Sequence, residues 1–231
     1  SQSHKFVPMK NMIALLLLIA VFSCSVYGQP AKSIVGPGKQ VDPYHYNPVK
    51  SNTYNKACVA SAHPLASTVG ALIMKQGGNA FDAMIAVQLT LAVVYPNAGN
   101  IGGGGFLLAR KTDGSVVAID YREMAPSAAT RDMYLDKNGN PLSGLSENGH
   151  VSAGVPGTVA GIFATLLHAK LPFNELIQPA IDIAQHGFAI TKKQADELND
   201  VGQPITEYST GPNAFVRAQP WKGVDTLIQT D

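Results

Sequence analysis

The 231 residues carry 17 Lys and Arg against 16 Asp and Glu, a formal net charge of +1. Hydrophobic residues make up 45% and charged residues only 14%, with 22 glycines, which excludes a disordered chain and fits a globular protein with a sizeable core. Lys5 and Lys10 are the only charged side chains before residue 29, so the remainder holds 15 basic and 16 acidic residues. That balance excludes the basic footprint of a nucleic-acid binder.

The chain opens with targeting features. Lys10 flanks the unbroken apolar run Met12 to Phe22, and Ser23 to Gly28 offers small residues for cleavage. Residues 1–28 therefore read as a secretory signal peptide cut after Gly28, or alternatively after Ser25. The apolar run is about half of the ~20 residues a spanning helix needs. Residues 1–8 precede Met9 and Met12 and are open to a reading as upstream, non-native translation. Cys24 would leave with the signal, and the mature chain would keep Cys58 as its one thiol, with no internal disulfide.

Residues 29–56 are rich in Pro, Gly, Lys and Tyr without periodicity and read as a flexible lead-in. A short strand is expected from Ala57 to Ala62, with Cys58 buried in it as a small hydrophobe. Pro64 suits the first turn of a helix whose Leu65, Val69, Leu72 and Ile73 share one face, stopped by Gly77-Gly78. Asn79 caps a second helix, Phe81 to Val94, with Asp82 in its first turn and apolar residues nearly all round.

A hairpin follows. The run Gly102 to Gly105 leads into a strand, Phe106 to Lys111; Thr112-Asp113-Gly114 turns the chain, and Ser115 to Tyr121 returns it. Beyond a turn cluster at Asp136–Pro141, Val155-Pro156-Gly157-Thr158 opens a third helix with Val159, Ile162, Phe163, Leu166 and Leu167 on one face. Asn174 caps a fourth, with Leu176, Ile177, Ala180, Ile181 and Ala184 inward and Gly187 past its end. Thr191-Lys192-Lys193-Gln194 fits a capping box for a fifth. Helices outnumber strands and the strands form a hairpin, so the fold class is α+β.

Arg122 stands at the far end of the hairpin, where its planar fork can grip a carboxylate with two parallel charge-assisted hydrogen bonds. By residue type alone it could equally pair with Glu123 or Asp120. Gly102–Gly105 lacks the Lys-Ser/Thr of a P-loop and precedes a strand, so packing is the better reading than phosphate binding. His63, His150, His168 and His186 show no metal-ligand spacing, and no Gly-x-Ser-x-Gly elbow occurs. No cofactor or metal is called for.

Several motifs resemble the large subunit of γ-glutamyltransferases, also called glutathione hydrolases. They are Gly77-Gly78-Asn79-Ala80-Phe81-Asp82-Ala83, the hairpin block ending in Arg122-Glu123-Met124-Ala125-Pro126, Ala153 to Gly161, and Gln178 to Phe188. The resemblance runs from about Cys58 to Asp231. It implies the four-layer αββα sandwich of N-terminal-nucleophile hydrolases, with residues 57–231 supplying a part of it truncated at the C-terminus. It implies that Arg122 holds the α-carboxylate of a γ-glutamyl substrate and that Glu123 supports it. It implies glutathione or related compounds as donors, water or an amino acid or peptide as acceptor, and a small subunit from the same precursor.

The family's nucleophile is a Thr in a Thr-Thr-His setting, freed by self-cleavage. No Thr-Thr pair occurs here, so that residue is expected beyond Asp231 and the chain alone is expected to be inactive. The alternative is a truncated, non-catalytic secreted homologue acting as a binding or decoy protein. Cephalosporin acylases and poly-γ-glutamate hydrolases share the resemblance, but Arg122 favours a substrate with a free α-carboxylate. The family also leaves an uncleaved N-terminal anchor facing outside the cell as the alternative to secretion.

Overall fold

The computed structural model describes residues 53–99 and 101–230. Residues 1–52, which hold the expected signal peptide and most of the expected lead-in, lie outside the described residues. Ten short elements follow in order: α1 (Pro64–Lys75), α2 (Ala80–Val94), β1 (Phe106–Arg110), β2 (Val116–Asp120), a single 3₁₀ turn at His150–Ser152, α3 (Thr158–Leu166), α4 (Phe173–His186), β3 (Phe188–Ala189), α5 (Lys192–Tyr208) and β4 (Thr226–Leu227). The described chain is thus α+β, with helices dominating.

The helix starts follow from their caps. His63 is the residue before α1, and its Nδ1 accepts the Leu65 N–H at 3.2 Å, with Pro64 at the first helical position. At α2 the Asn79 Oδ1 accepts from Phe81 (2.7 Å) and Asp82 (3.1 Å), while Asp82 Oδ2 accepts the Asn79 N–H at 2.6 Å. Thr191 and Gln194 form the same reciprocal box at α5.

Helices α1, α2 and α4 build the core. Val69 and Ile73 of α1, Ile85 of α2 and Leu176 of α4 are essentially fully buried in one cluster with Ile190 and Leu227. The buried Asp82 carboxylate ties this cluster to the turn after α3. Besides the Asn79 N–H it accepts from Lys170 at 3.0 Å and from Leu171 at 2.9 Å, and Asn79 Nδ2 donates to His168 O at 2.8 Å.

Among the described residues, two antiparallel strand pairs make up the sheet structure. β1 pairs with β2 in the register Phe106↔Asp120 to Arg110↔Val116. β3 pairs with β4 through Phe188↔Leu227 and Ala189↔Thr226.

Expectations for three segments are corrected. No strand forms over 57–62, and Cys58 is exposed there; with no partner strand alongside, its apolar letters do not suffice. Helix α4 starts two residues earlier than Asn174 suggests, with Pro172 before it and Glu175 N–H bonding Pro172 O at 3.0 Å, so Asn174 sits inside the first turn; on the same helix Ile181, expected inward, is exposed. Helix α3 is rotated relative to its large apolar residues. Thr158, Gly161, Ile162 and Thr165 face inward, while Val159, Phe163 and Leu167 are exposed. The inward face is narrow because the ring of Tyr121 lies against Gly161.

Candidate functional site

The ladder of the β1–β2 hairpin continues one pair past the strands. Tyr121 N–H donates to Gly105 O at 3.0 Å, and Gly105 N–H donates back to Tyr121 O at 3.3 Å. Arg122 is therefore the first residue beyond a fixed backbone. Two residues on, Met124 and Val155 exchange hydrogen bonds of 3.1 and 2.8 Å, and the N–H groups of Gly157 and Thr158 both donate to Gly103 O at 2.9 and 3.0 Å. The segment Tyr121–Met124 is thus held between the glycine run 102–105 and the segment 154–161.

Glycine is required there because backbone meets backbone. A Cβ on Gly104 would lie 2.6 Å from Tyr121 O and 2.8 Å from Arg122 Cα, and one on Gly157 would overlap the Tyr121 carbonyl outright. A Cβ on Gly161 would lie 2.6 Å from Tyr121 Cδ1. Gly104 and Gly157 pack against the Tyr121–Arg122 backbone, Gly161 seats the Tyr121 ring, and the Gly105 N–H is spent on the ladder.

The Arg122 side chain is exposed and paired with Asp120. Its Nε donates to Asp120 Oδ1 at 3.2 Å and its Nη2 to Oδ2 at 2.9 Å, while the Arg122 backbone N–H also reaches Oδ1 at 3.1 Å. These hydrogen bonds hold the Asp120 carboxyl below its usual range and push the guanidinium further up. The Phe106 ring, opposite Asp120 in the ladder, has its centroid 4.8 Å from Arg122 Cζ.

Glu123 does not share the fork: the Arg122 hydrogen bonds go to Asp120. Its Cβ faces Gly154, where an added Cβ would come within 3.1 Å. So the structure brings Arg122, Asp120 and Phe106 together and leaves Glu123 as an adjacent negative charge.

The remaining sequence candidates lie apart from this group. His63 is buried at the start of α1; His150 sits in the 3₁₀ turn; His168 packs on Phe81 with ring centroids 5.0 Å apart; His186 Nδ1 contacts Asp182 O at 2.8 Å. One feature escapes sequence reading. A groove of about 760 Å³ runs between α5 and Phe215–Trp221. Its Arg217 is stacked 3.9 Å from the Trp221 ring, bonded to the carbonyls of Gln219 and Pro220 at 2.8 Å each, and paired with Asp225. That arginine is tied down by the fold. Arg122, by contrast, makes no hydrogen bond through Nη1 to any described residue, and its side chain is 62% exposed.

Fold and hairpin together define a piece of an N-terminal-nucleophile hydrolase sandwich. Solved γ-glutamyltranspeptidases align with it. The enzyme of Helicobacter pylori does so with a TM-score of 0.71 at 40% identity, over 78% of this chain and 52% of that one. The enzyme of Pseudomonas nitroreducens follows at 0.67 and 40%, over 77% and 52%. A cephalosporin acylase from Bacillus halodurans, at 21% identity and a TM-score of 0.63 over 83% of this chain and 37% of that one, shares the fold alone.

The family profile described as gamma-glutamyltranspeptidase matches residues 66–231, and the chain belongs to that family. It is 40% identical over 222 residues to the glutathione hydrolase proenzyme of Escherichia coli (strain K12), covering 95% of this chain and 37% of that protein. The glutathione hydrolase proenzyme of Bacillus subtilis (strain 168) is 37% identical over 225 residues, with the same two coverages. The chain thus spans little more than a third of the length of these relatives.

Proposed function

We propose that this chain is the N-terminal part of the large subunit of a γ-glutamyltransferase, acting on glutathione or related γ-glutamyl compounds. In this reading Arg122 receives the substrate's α-carboxylate, and Glu123 braces the same segment. The nucleophilic Thr comes from polypeptide that follows, freed as the start of a small subunit. Its hydroxyl attacks the γ-glutamyl carbonyl while its own amine takes the proton; the amide C–N bond breaks, the departing amine leaves with that proton, and water or an amino acid or peptide amine then takes the acyl group from the resulting ester. The apolar segment before residue 29 directs the protein to the secretory route.

The observation that carries this reading is the open edge of the Arg122 fork, set on a backbone that glycines hold rigid. A planar fork matches a carboxylate in a way a lysine ammonium does not. In the full-length protein, Arg122→Lys should raise KM for a γ-glutamyl anilide roughly 10- to 100-fold, the loss of a bidentate charge-assisted pair. An unchanged KM refutes the assignment. Two bands from one precursor on a gel would support self-cleavage, whereas a single stable product no larger than the 24.4 kDa of these 231 residues would support the non-catalytic homologue.

A further inference from the structure

A guanidinium has two edges that can each grip a carboxylate: the side of Nε with one terminal nitrogen, and the end formed by both terminal nitrogens. In Arg122 the side edge is filled. Asp120 Oδ1 takes Nε at 3.2 Å and Oδ2 takes Nη2 at 2.9 Å. Asp120 is itself pinned, because the Arg122 backbone N–H donates to Oδ1 at 3.1 Å. The Phe106 ring fixes a third direction, with its centroid 4.8 Å from Cζ. Phe106 and Asp120 are direct partners in the hairpin ladder, so both supports stand on the same rigid backbone pair.

An isolated exposed arginine would spread over many rotamers and lose that freedom on binding. This one is held before any ligand arrives. We propose that Asp120 and Phe106 are positioning residues that aim the end edge of Arg122, Nη1 with Nη2, at the ligand's carboxylate. The inference rests on the reading of Arg122 as the carboxylate ligand. It assigns the pair a role opposite to the other one the geometry allows, in which Asp120 is a resident competitor that the ligand must displace.

The two roles predict opposite signs. The measurement is the ratio of kcat/KM for γ-glutamyl-p-nitroanilide to that for its α-carboxamide analogue, in the full-length protein. A purely structural defect lowers both rates together and leaves the ratio alone. Asp120→Ala should shrink the ratio by about tenfold, the scale of one lost charge-assisted hydrogen bond. Asp120→Asn, similar in shape but unable to accept from both nitrogens, should do the same. Phe106→Leu should shrink it by about threefold, an exposed cation–π contact. A ratio that stays put or widens in the Asp120 variants overturns the positioning role while leaving Arg122 as ligand. A ratio that is unchanged in Arg122→Ala overturns the reading of Arg122 itself, and this inference with it.

Discussion

The Arg122 end of the hairpin and the helical core hold their shape by opposite means. Around Arg122 the chain approaches itself backbone to backbone at Gly104 and Gly157, with the Tyr121 ring seated on Gly161, and the space that matters is the space these glycines leave empty. In the core, α1, α2 and α4 are held by side chains that fill space, with a few buried polar groups among them such as Asp82, Thr90 and His63. The site is therefore vulnerable to an added atom and the core to a removed one. This explains how an exposed, charged residue can be sharply placed without being buried: the precision lies in the backbone beneath it.

The largest effect should come from one methyl group. Gly157 has an ordinary φ of −107°, so Ala is conformationally allowed there. Its Cβ would nevertheless overlap the Tyr121 carbonyl and lie 2.9 Å from Arg122 O. Backbone cannot rotate out of the way, so Gly157→Ala should cost about 3 kcal/mol or more. It should also displace Arg122, and thermal unfolding with the carboxylate-dependent KM would read both. A variant with native stability and native KM would break the contrast.

The core counterpart removes atoms. Asp82 is fully buried and accepts N–H groups from Asn79, Lys170 and Leu171. Asp82→Ala leaves these donors unpaired at both the α2 start and the turn after α3, at a cost of roughly 3 kcal/mol. Denaturant unfolding should show a lowered midpoint with an unchanged m-value. The KM of the folded fraction should stay close to native, since Asp82 does not touch the hairpin segment.

Much of this was legible in the letters, for local reasons. Asn79 and Thr191 cap where Asx and hydroxyl side chains must, and Gly187 ends α4 with φ at +79°. The hairpin falls within a residue of its expected strands because Thr112-Asp113-Gly114 sets the turn and, through it, the register. What the letters hid depended on partners distant in sequence. The face of α3 is decided by Tyr121 lying on Gly161, 40 positions away, so Phe163 and Leu167 point outward against their hydrophobicity. Cys58 is exposed although strand formers surround it, because such letters look alike whether or not a neighbouring strand exists. For Arg122, sequence left Glu123 and Asp120 as equal partners; only the strand pleat, which puts residues i and i+2 on one face, selects Asp120.

A smaller effect sharpens the core side. Burial pushes the His63 imidazole from the usual 6.5 down to about 4. Its Nδ1 must stay unprotonated to accept the Leu65 N–H, and its buried Nε2 has no hydrogen-bond partner among the described residues. The unfolded chain takes up a proton below about 6.5, whereas the native one resists until about 4. Stability should therefore fall as pH drops through that window and be flat for this group above it. His63→Asn keeps an acceptor at the cap and does not titrate, so it should lose that slope while retaining α1. A parallel pH profile in the variant would remove His63 as the cause.

The smallest effect tests whether glycine at the two ends of the hairpin serves different ends. Gly114 has φ +85°, and a Cβ there would meet nothing closer than Arg110 Nη2 at 3.7 Å. Space is open and the backbone angle is the constraint, the reverse of Gly157. Gly114→Ala should cost only about 1 kcal/mol, the penalty of a left-handed alanine. Gly114→Asn should recover part of it, because Asn tolerates that region. At Gly157 Asn should be no better than Ala, since both bring the same Cβ against the same carbonyl. Equilibrium unfolding of the four variants decides it: equal costs at the two positions, or an Asn rescue at Gly157, would mean that backbone angle and not contact governs the site end as well.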